Sequence, residues 1–267
     1  MLDEKLVSYL LTVPRSAPDS GDVVGATHGV ISPKLGTLVR LSPQLSGYGN
    51  MSRGFRSVNG VITDPTLVPI TAWAYETGVK FEHEGASASL ALFRMDVSNE
   101  QTLNPVTLQS TSGGASRRQG VEIGWQVSIS PQIAASGSWT FNDARYHSVV
   151  AAPTEGGGAP RTLDGLHVYN TASYIGAAAL DITPGETRLR FRVSGNWVGA
   201  YSPFDEPGVL AGGYGLLHLT AVVPMDRFDV ETGVRNLLDR AYPELIAGHI
   251  VSPGAPRTLL LSLRAHF

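Results

Sequence analysis

The sequence of 267 residues contains no cysteine. That excludes a disulfide framework and any thiolate site, and it suits cytosol and outer membrane equally. Excess charge is also missing: the net value of −3 is too small to argue for nucleic acid or for an acidic partner. No run approaches the roughly 18 apolar residues that a membrane helix needs. The opening MLDEKLVSYLL has acidic residues where a signal peptide carries positive ones, so no export signal is read there. GGGAPR, residues 156–161, is glycine-rich but lacks the Lys-Ser/Thr of a phosphate loop and reads as a loop tip. His28, His83, His147, His167, His218, His249 and His266 show no ligand spacing. No nucleophile elbow and no Ser/His constellation is recognisable, which leaves no catalytic residue, cofactor or metal site to expect and speaks against an outer-membrane phospholipase.

What is abundant is glycine, at 30 residues, together with strand-period alternation from end to end. In TRLRFRVSGNWVGAY, Leu189, Phe191, Val193, Gly195, Trp197 and Tyr201 share one face, with Arg188, Arg190 and Arg192 on the other. Val121, Ile123, Trp125, Val127 and Ile129 oppose Glu122, Gln126 and Ser128. Ile133, Trp139 and Phe141 oppose a row of Ser, Thr and Asn. Trp73, Tyr75, Val79 and Phe81 oppose Glu76, Lys80 and Glu82, and Phe228, Val230 and Val234 oppose Asp229, Glu231 and Arg235. Leu259, Leu261, Leu263 and Phe267 repeat the pattern in the last segment. Weaker runs lie near 4–13, 33–42, 44–54, 86–98, 166–180 and 212–223; the one at 86–98 changes phase near Leu92, where a bulge or a misplaced boundary is expected. This makes about twelve strands, many of them longer than the roughly 5–6 residues usual in globular sheets.

The connections alternate. Long ones fall near 14–32, 55–72, 99–116, 147–165, 202–211 and 239–256; short ones fall at 42–43, 84–85, 130–131, 183–185 and 224–226. Tight turns at one end and long loops at the other are the layout of an outer-membrane barrel. A soluble sandwich also has one apolar face per strand. Strand length, charge rows such as Arg188, Arg190 and Arg192, and aromatics near strand ends favour the membrane barrel.

Specific segments carry a family resemblance. Asn236, Leu237, Leu238, Asp239, Arg240 and Tyr242, then Gly254, Pro256, Arg257 and Phe267, resemble the C-terminus of TonB-dependent outer-membrane receptors. Ser32, Pro33, Lys34 and Gly36, with Gly54, Phe55 and Arg56, resemble the mid-barrel segment of that family. Tyr75–Lys80 and Arg117–Glu122 fit two further strands, in family order. The resemblance implies a single all-β domain over 1–267: an antiparallel transmembrane β-barrel, holding about the last twelve strands of a barrel of about 22, with the plug absent. A truncated reading frame, a split gene or a misplaced start is the expected origin.

The resemblance further implies a cell outer membrane of a Gram-negative bacterium and uptake of a scarce nutrient, most often a ferric siderophore. A TonB complex would act only through the missing plug. The barrel-assembly machinery would read Leu259, Leu261, Leu263 and Phe267, while outer-membrane lipid surrounds the wall. Arg56, Arg145 and Arg161, in or beside long loops, are the candidate ligand contacts, and ordinary solvated loop charge is the competing and favoured reading of them. Glu76, Lys80, Arg188, Arg190, Arg192, Asp229, Glu231 and Arg235 are expected to face the lumen. The competing expectation is a passive pore or a non-functional barrel remnant.

Overall fold

A computed structural model describes residues 29–56, 67–103, 110–151, 159–185, 188–203, 208–247 and 250–265. Among them there is no helix and there are fifteen strands: β1 (Lys34–Arg40), β2 (Leu45–Arg56), β3 (Ile70–His83), β4 (Ala86–Leu103), β5 (Ser110–Ser130), β6 (Ile133–His147), β7 (Val150–Ala151), β8 (Arg161–Thr162), β9 (Tyr174–Ile182), β10 (Arg190–Val198), β11 (Tyr214–Pro224), β12 (Phe228–Arg235), β13 (Pro243–Ala247), β14 (Ile250–Pro253) and β15 (Thr258–Ala265). Eleven form one antiparallel sheet in the order β1-β2-β3-β4-β5-β6-β9-β10-β11-β12-β15. Within this sheet the strands follow one another in chain order, each pairing only with its neighbours in that order, and β1 and β15 lie at the two described edges. The expected first strand, 4–13, lies outside the described residues, as does Phe267.

The turns form where local chemistry closes them. Ser42 Oγ accepts the Gln44 and Leu45 N–H groups at 3.2 and 3.1 Å. Gly85 takes φ 70° between β3 and β4, and Ser130 Oγ accepts the Gln132 N–H at 3.2 Å. All tight turns fall at one end of the sheet and all long connections at the other, as the spacing anticipates. Two small hairpins inside long connections, β7–β8 and β13–β14, have no counterpart in the sequence reading, and neither does the length of β4 and β5. These two run 18 and 21 residues, so much of the expected loop 99–116 is strand. At about 3.3 Å per residue β5 is roughly 70 Å long, well over what a tilted strand needs to cross a bilayer core of about 30 Å. The expected run 166–180 is strand only from Tyr174.

Register carries one face consistently across the whole sheet. Leu261 pairs with Thr232, Thr232 with Ala221, Ala221 with Phe191 and Phe191 with Ile182. Propagated through every ladder, this parity puts Leu35, Val39, Val79, Phe81, Leu90, Leu92, Val121, Ile123, Trp139, Phe141, Leu219 and Leu259 on a single face. Most of these apolar side chains are solvent-accessible, with Leu259 and Leu261 about four-fifths exposed. A contiguous apolar surface of this extent requires an apolar surround.

The phase change near Leu92 has a different cause from the one expected. β3 and β4 stay in unbroken register from Thr71↔Ser98 to His83↔Ala86. The irregularity is at Asn99, which has φ 61° and donates from Nδ2 to the Pro69 carbonyl at 3.1 Å. At Leu92 it is the polarity of the faces that inverts. Below it Leu90 and Leu92 occupy the apolar face; above it the same face carries Arg94 and Asp96, while Val97 is buried on the other. β5 inverts between Val121 and Gln119, and β6 between Phe141 and Asp143. These positions lie in register: Leu92↔Val121↔Phe141, then Arg94↔Gln119↔Asp143.

Beyond the inversion the buried side organises the loop. Ala144, Tyr146, Val149, Leu163 and Val168 form a compact cluster, with Leu163 fully buried. Leu163 N–H donates to the Val149 carbonyl at 2.8 Å, and Asp164 Oδ1 accepts the Val149 N–H at 3.1 Å. On the neighbouring strands Arg118 donates to Ser116 Oγ at 2.7 Å and pairs with Glu100 at 3.1 Å.

Candidate functional site

The face opposite the apolar one gathers most of the charge. Glu76, Lys80, Arg190, Arg192, Asp229, Glu231 and Arg235 all lie on it by register. Arg188 precedes β10, at the tight-turn end, and approaches Asp226 at 3.8 Å. Arg190 faces Asp229 at 3.7 Å and Arg192 faces Asp181 at 3.5 Å. Arg190, Arg192, Asp181 and Asp229, with Glu231 and Arg264, line a cleft of about 320 Å³. At such separations between largely exposed groups each pair contributes little to stability, roughly 0–1 kcal/mol. Lys80 Nζ lies 5.2 Å from the centre of the Tyr48 ring.

Toward the middle of the sheet the same face becomes small and neutral. Ser136, Ser138, Ala177 and Ala179 floor a second cleft of about 430 Å³, bounded by Arg192, Asn196 and His218. Sequence reasoning missed the His218 network. Asn236 N–H donates to His218 Nδ1 at 3.2 Å. Nδ1 is therefore unprotonated, and Nε2–H donates to Asn196 Oδ1 at 2.8 Å. The parity of β11, which puts His218 beside Thr220 on the polar face, is the only signal that could have found it.

The C-terminal motif is explained by the turn it builds. Asn236 and Asp239 take φ 50° and 51°, a region that Asn and Asp tolerate better than other side chains. Asn236 is buried; its Nδ2 donates to the carbonyls of Arg240 and Ala255 at 2.9 and 3.1 Å, and its Oδ1 accepts the Arg240 N–H at 2.8 Å. Asp239 Oδ1 accepts the Arg257 N–H at 2.8 Å. Tyr242 packs on Tyr214 with centroids 4.7 Å apart and lies over Gly254, where a methyl group would collide with its ring.

The three arginines expected at the loops part company. Arg56 ends β2 on the polar side and is exposed. Arg161 lies in β8, within the loop hairpin. Arg145, expected in or beside a loop, is in β6 on the apolar-face parity, where its Nε donates to Asp143 Oδ1 at 2.8 Å and its Nη1 to the Gly165 carbonyl at 2.9 Å. It lies in the sheet rather than in a loop because residues 133–147 are one continuous strand. Leu259, Leu261 and Leu263 lie on the apolar face. Among the described residues no group of three His, Asp or Glu gathers in a way that could hold a metal ion.

The family model described as TonB dependent receptor-like, beta-barrel matches residues 12–237. The chain belongs to this family of TonB-dependent receptor barrels. Family members are outer-membrane receptors and transporters rather than enzymes. A relative, the metal-pseudopaline receptor CntO of Pseudomonas aeruginosa, is 24% identical over 258 residues, covering 90% of this chain and 34% of its own. The ferric yersiniabactin uptake receptor FyuA of Yersinia pestis superposes with a TM-score of 0.76 at 17% identity, over 91% of this chain and 38% of that one. The siderophore receptor PiuA of Acinetobacter baumannii gives 0.77 at 14% identity, over 90% and 36%. The chain thus spans about a third of the length of the receptors it matches, and its TonB-dependent receptor fold is that of a portion of their barrels.

Proposed function

We infer that this chain forms part of the wall of an outer-membrane receptor that takes up a scarce nutrient, a ferric siderophore or a similar metal chelate. One observation carries the reading: a single sheet has an exposed apolar face, a charged opposite face and all its long connections at one end, in a chain of this family. The metal-chelate class is supported by the relatives, which are named for metal-pseudopaline and ferric yersiniabactin. In this reading the polar face lines the lumen, and Arg56 and Arg161 meet the anionic chelate through charge-assisted hydrogen bonds. Leu259, Leu261, Leu263 and Phe267 are the segment that the assembly machinery engages. Energy from a TonB complex reaches the barrel through a plug, so these residues alone give no coupled transport.

The test is expression of the chain, fused to an export signal, in Gram-negative cells. The expected result is protein in the outer-membrane fraction whose cell-surface binding of ferric chelate drops at least about threefold in an Arg56→Gln/Arg161→Gln variant, with no energy-dependent uptake. A water-soluble monomer in the periplasm overturns the reading, and energy-dependent uptake overturns the coupling part.

A further inference from the structure

The apolar face has charged side chains in only one place. Among the described strand residues of the sheet, its Asp, Glu, Lys and Arg positions are Arg53, Arg94, Asp96, Arg117, Asp143 and Arg145. All lie within the span from β2 to β6, on β2, β4, β5 and β6, and all lie on the long-loop side of the line where face polarity inverts. Arg53, Trp73, Asp96, Arg117 and Arg145 are successive register partners across five strands. The next row toward the apolar band holds Tyr75, Arg94, Gln119 and Asp143. The arginine at the edge of the group sits over an aromatic, with Arg53 Cζ 5.9 Å from the centre of the Trp73 ring.

An unpaired charge at the bilayer centre is costly, and aromatics mark the interface. The inversion line is therefore where the hydrocarbon ends, and the cluster sits at headgroup depth against lipid. Its balance is positive, four arginines against two aspartates. Asp96 is shared by two guanidiniums, with Arg94 Nε at 2.8 Å and Arg117 Nε at 2.7 Å; Asp143 takes Arg145 Nε at 2.8 Å. Each of these three guanidiniums stays about two-fifths to a half exposed, and planar forks of this kind match phosphate oxygens.

We propose that the Arg53–Arg94–Arg117–Arg145 row on the lipid-facing side of β2 to β6 is a docking surface for the phosphate groups of an outer-leaflet glycolipid. Charge complementarity and depth select that occupant: the partner must be anionic, must lie flush with the membrane surface and must approach from the lipid side. The inference rests on the outer-membrane reading above.

The test uses the chain refolded into vesicles of zwitterionic phospholipid, with and without bisphosphorylated lipid A. Native mass spectrometry after detergent extraction counts the glycolipid retained. The expected result is specific retention of lipid A that falls about tenfold in an Arg94→Gln/Arg117→Gln/Arg145→Gln variant and weakens with salt. Retention should persist in Arg192→Gln, on the opposite face, and rise in Asp96→Asn/Asp143→Asn, where the competing carboxylates are gone. A merely structural ion-pair row predicts the reverse for that last variant, since losing the aspartates would then disturb the surface as much as losing the arginines. Millimolar inorganic phosphate should not displace the glycolipid; displacement would make the row a soluble-anion site and overturn the proposal. Normal insertion into plain vesicles with lipid A retention unchanged in the triple arginine variant overturns the proposal and leaves the receptor reading standing. Failure to insert into any vesicle removes both.

Discussion

Substituting neighbouring residues of β15 separates the two faces of the sheet in one experiment. Leu261 lies midway along the apolar row Leu259, Leu261, Leu263, Ala265 and is 80% exposed in the chain. Ser262, next to it, lies on the other face opposite Glu231, in the cleft that also holds Asp229. Arginine at the midplane of a lipid-facing barrel surface costs about 2–4 kcal/mol, falling to about 0–1 near the interface. Leu261→Arg should therefore cost about 2–4 kcal/mol, or roughly 30- to 1,000-fold in the folding equilibrium. Ser262→Arg meets water in a cleft where Asp181, Asp229 and Glu231 offset Arg190, Arg192 and Arg264, and should stay within about 1 kcal/mol of the parent. Ala265→Arg, beside Phe228 at the tight-turn end, should cost no more than about 1 kcal/mol. The assay is guanidinium unfolding from phospholipid vesicles, followed by tryptophan fluorescence. Equal penalties at Leu261 and Ser262, or an Ala265→Arg as harmful as Leu261→Arg, would refute the assignment, because a soluble core has no such depth gradient.

Three further outcomes follow from local geometry. Asn236→Ala removes three side-chain hydrogen bonds from a buried turn and should lower stability by about 1–3 kcal/mol, read as a shift in thermal unfolding; an unchanged transition would mean that the turn is held by other contacts. Leu163→Ala empties the centre of the loop cluster at a local cost of about 2–5 kcal/mol and should speed proteolysis between β6 and β9 without altering the sheet; equal cleavage rates would argue against that cluster. Gly176→Val places a side chain where the Trp139 ring lies, and should break the Trp139–Trp197 stack at 5.3 Å, seen as loss of coupled near-ultraviolet circular dichroism; a retained signal would contradict the packing.

Much of this architecture is legible in the sequence because two signals are strictly local. Side chains alternate along each strand, so the parity of Phe191, Val193 and Trp197 against Arg190 and Arg192 can be read without knowing any partner. Turn chemistry is local too, and the tight turns at Ser42, Gly85 and Ser130 fall at or within a residue or two of where it puts them. The misses share a different cause. Past the inversion line the rule that sorts residues between faces reverses, so Phe93, Met95 and Val97 read as a slipped strand when the backbone keeps its register. The polar flanks of β4 and β5 read as loop because Ser, Gly and Thr runs show no apolar alternation, although they pair from Glu100↔Gly114 to Leu103↔Ser110. At the site, the charge row was visible. The His218 link was not, because it joins Asn196 on β10 to the turn at Asn236 through contacts that no sequence period encodes.

The order of the sheet has a consequence for how its stability is shared. Because each strand touches only its sequence neighbours, coupling runs in one dimension, as in a stack of repeats. A defect in β10 weakens β9 and β11 first and reaches β3 only through five successive ladders. Such a sheet has no central nucleus on which all its strands converge. It can grow by adding one hairpin at a time to an exposed edge, and an insertion in any long connection leaves every ladder in place.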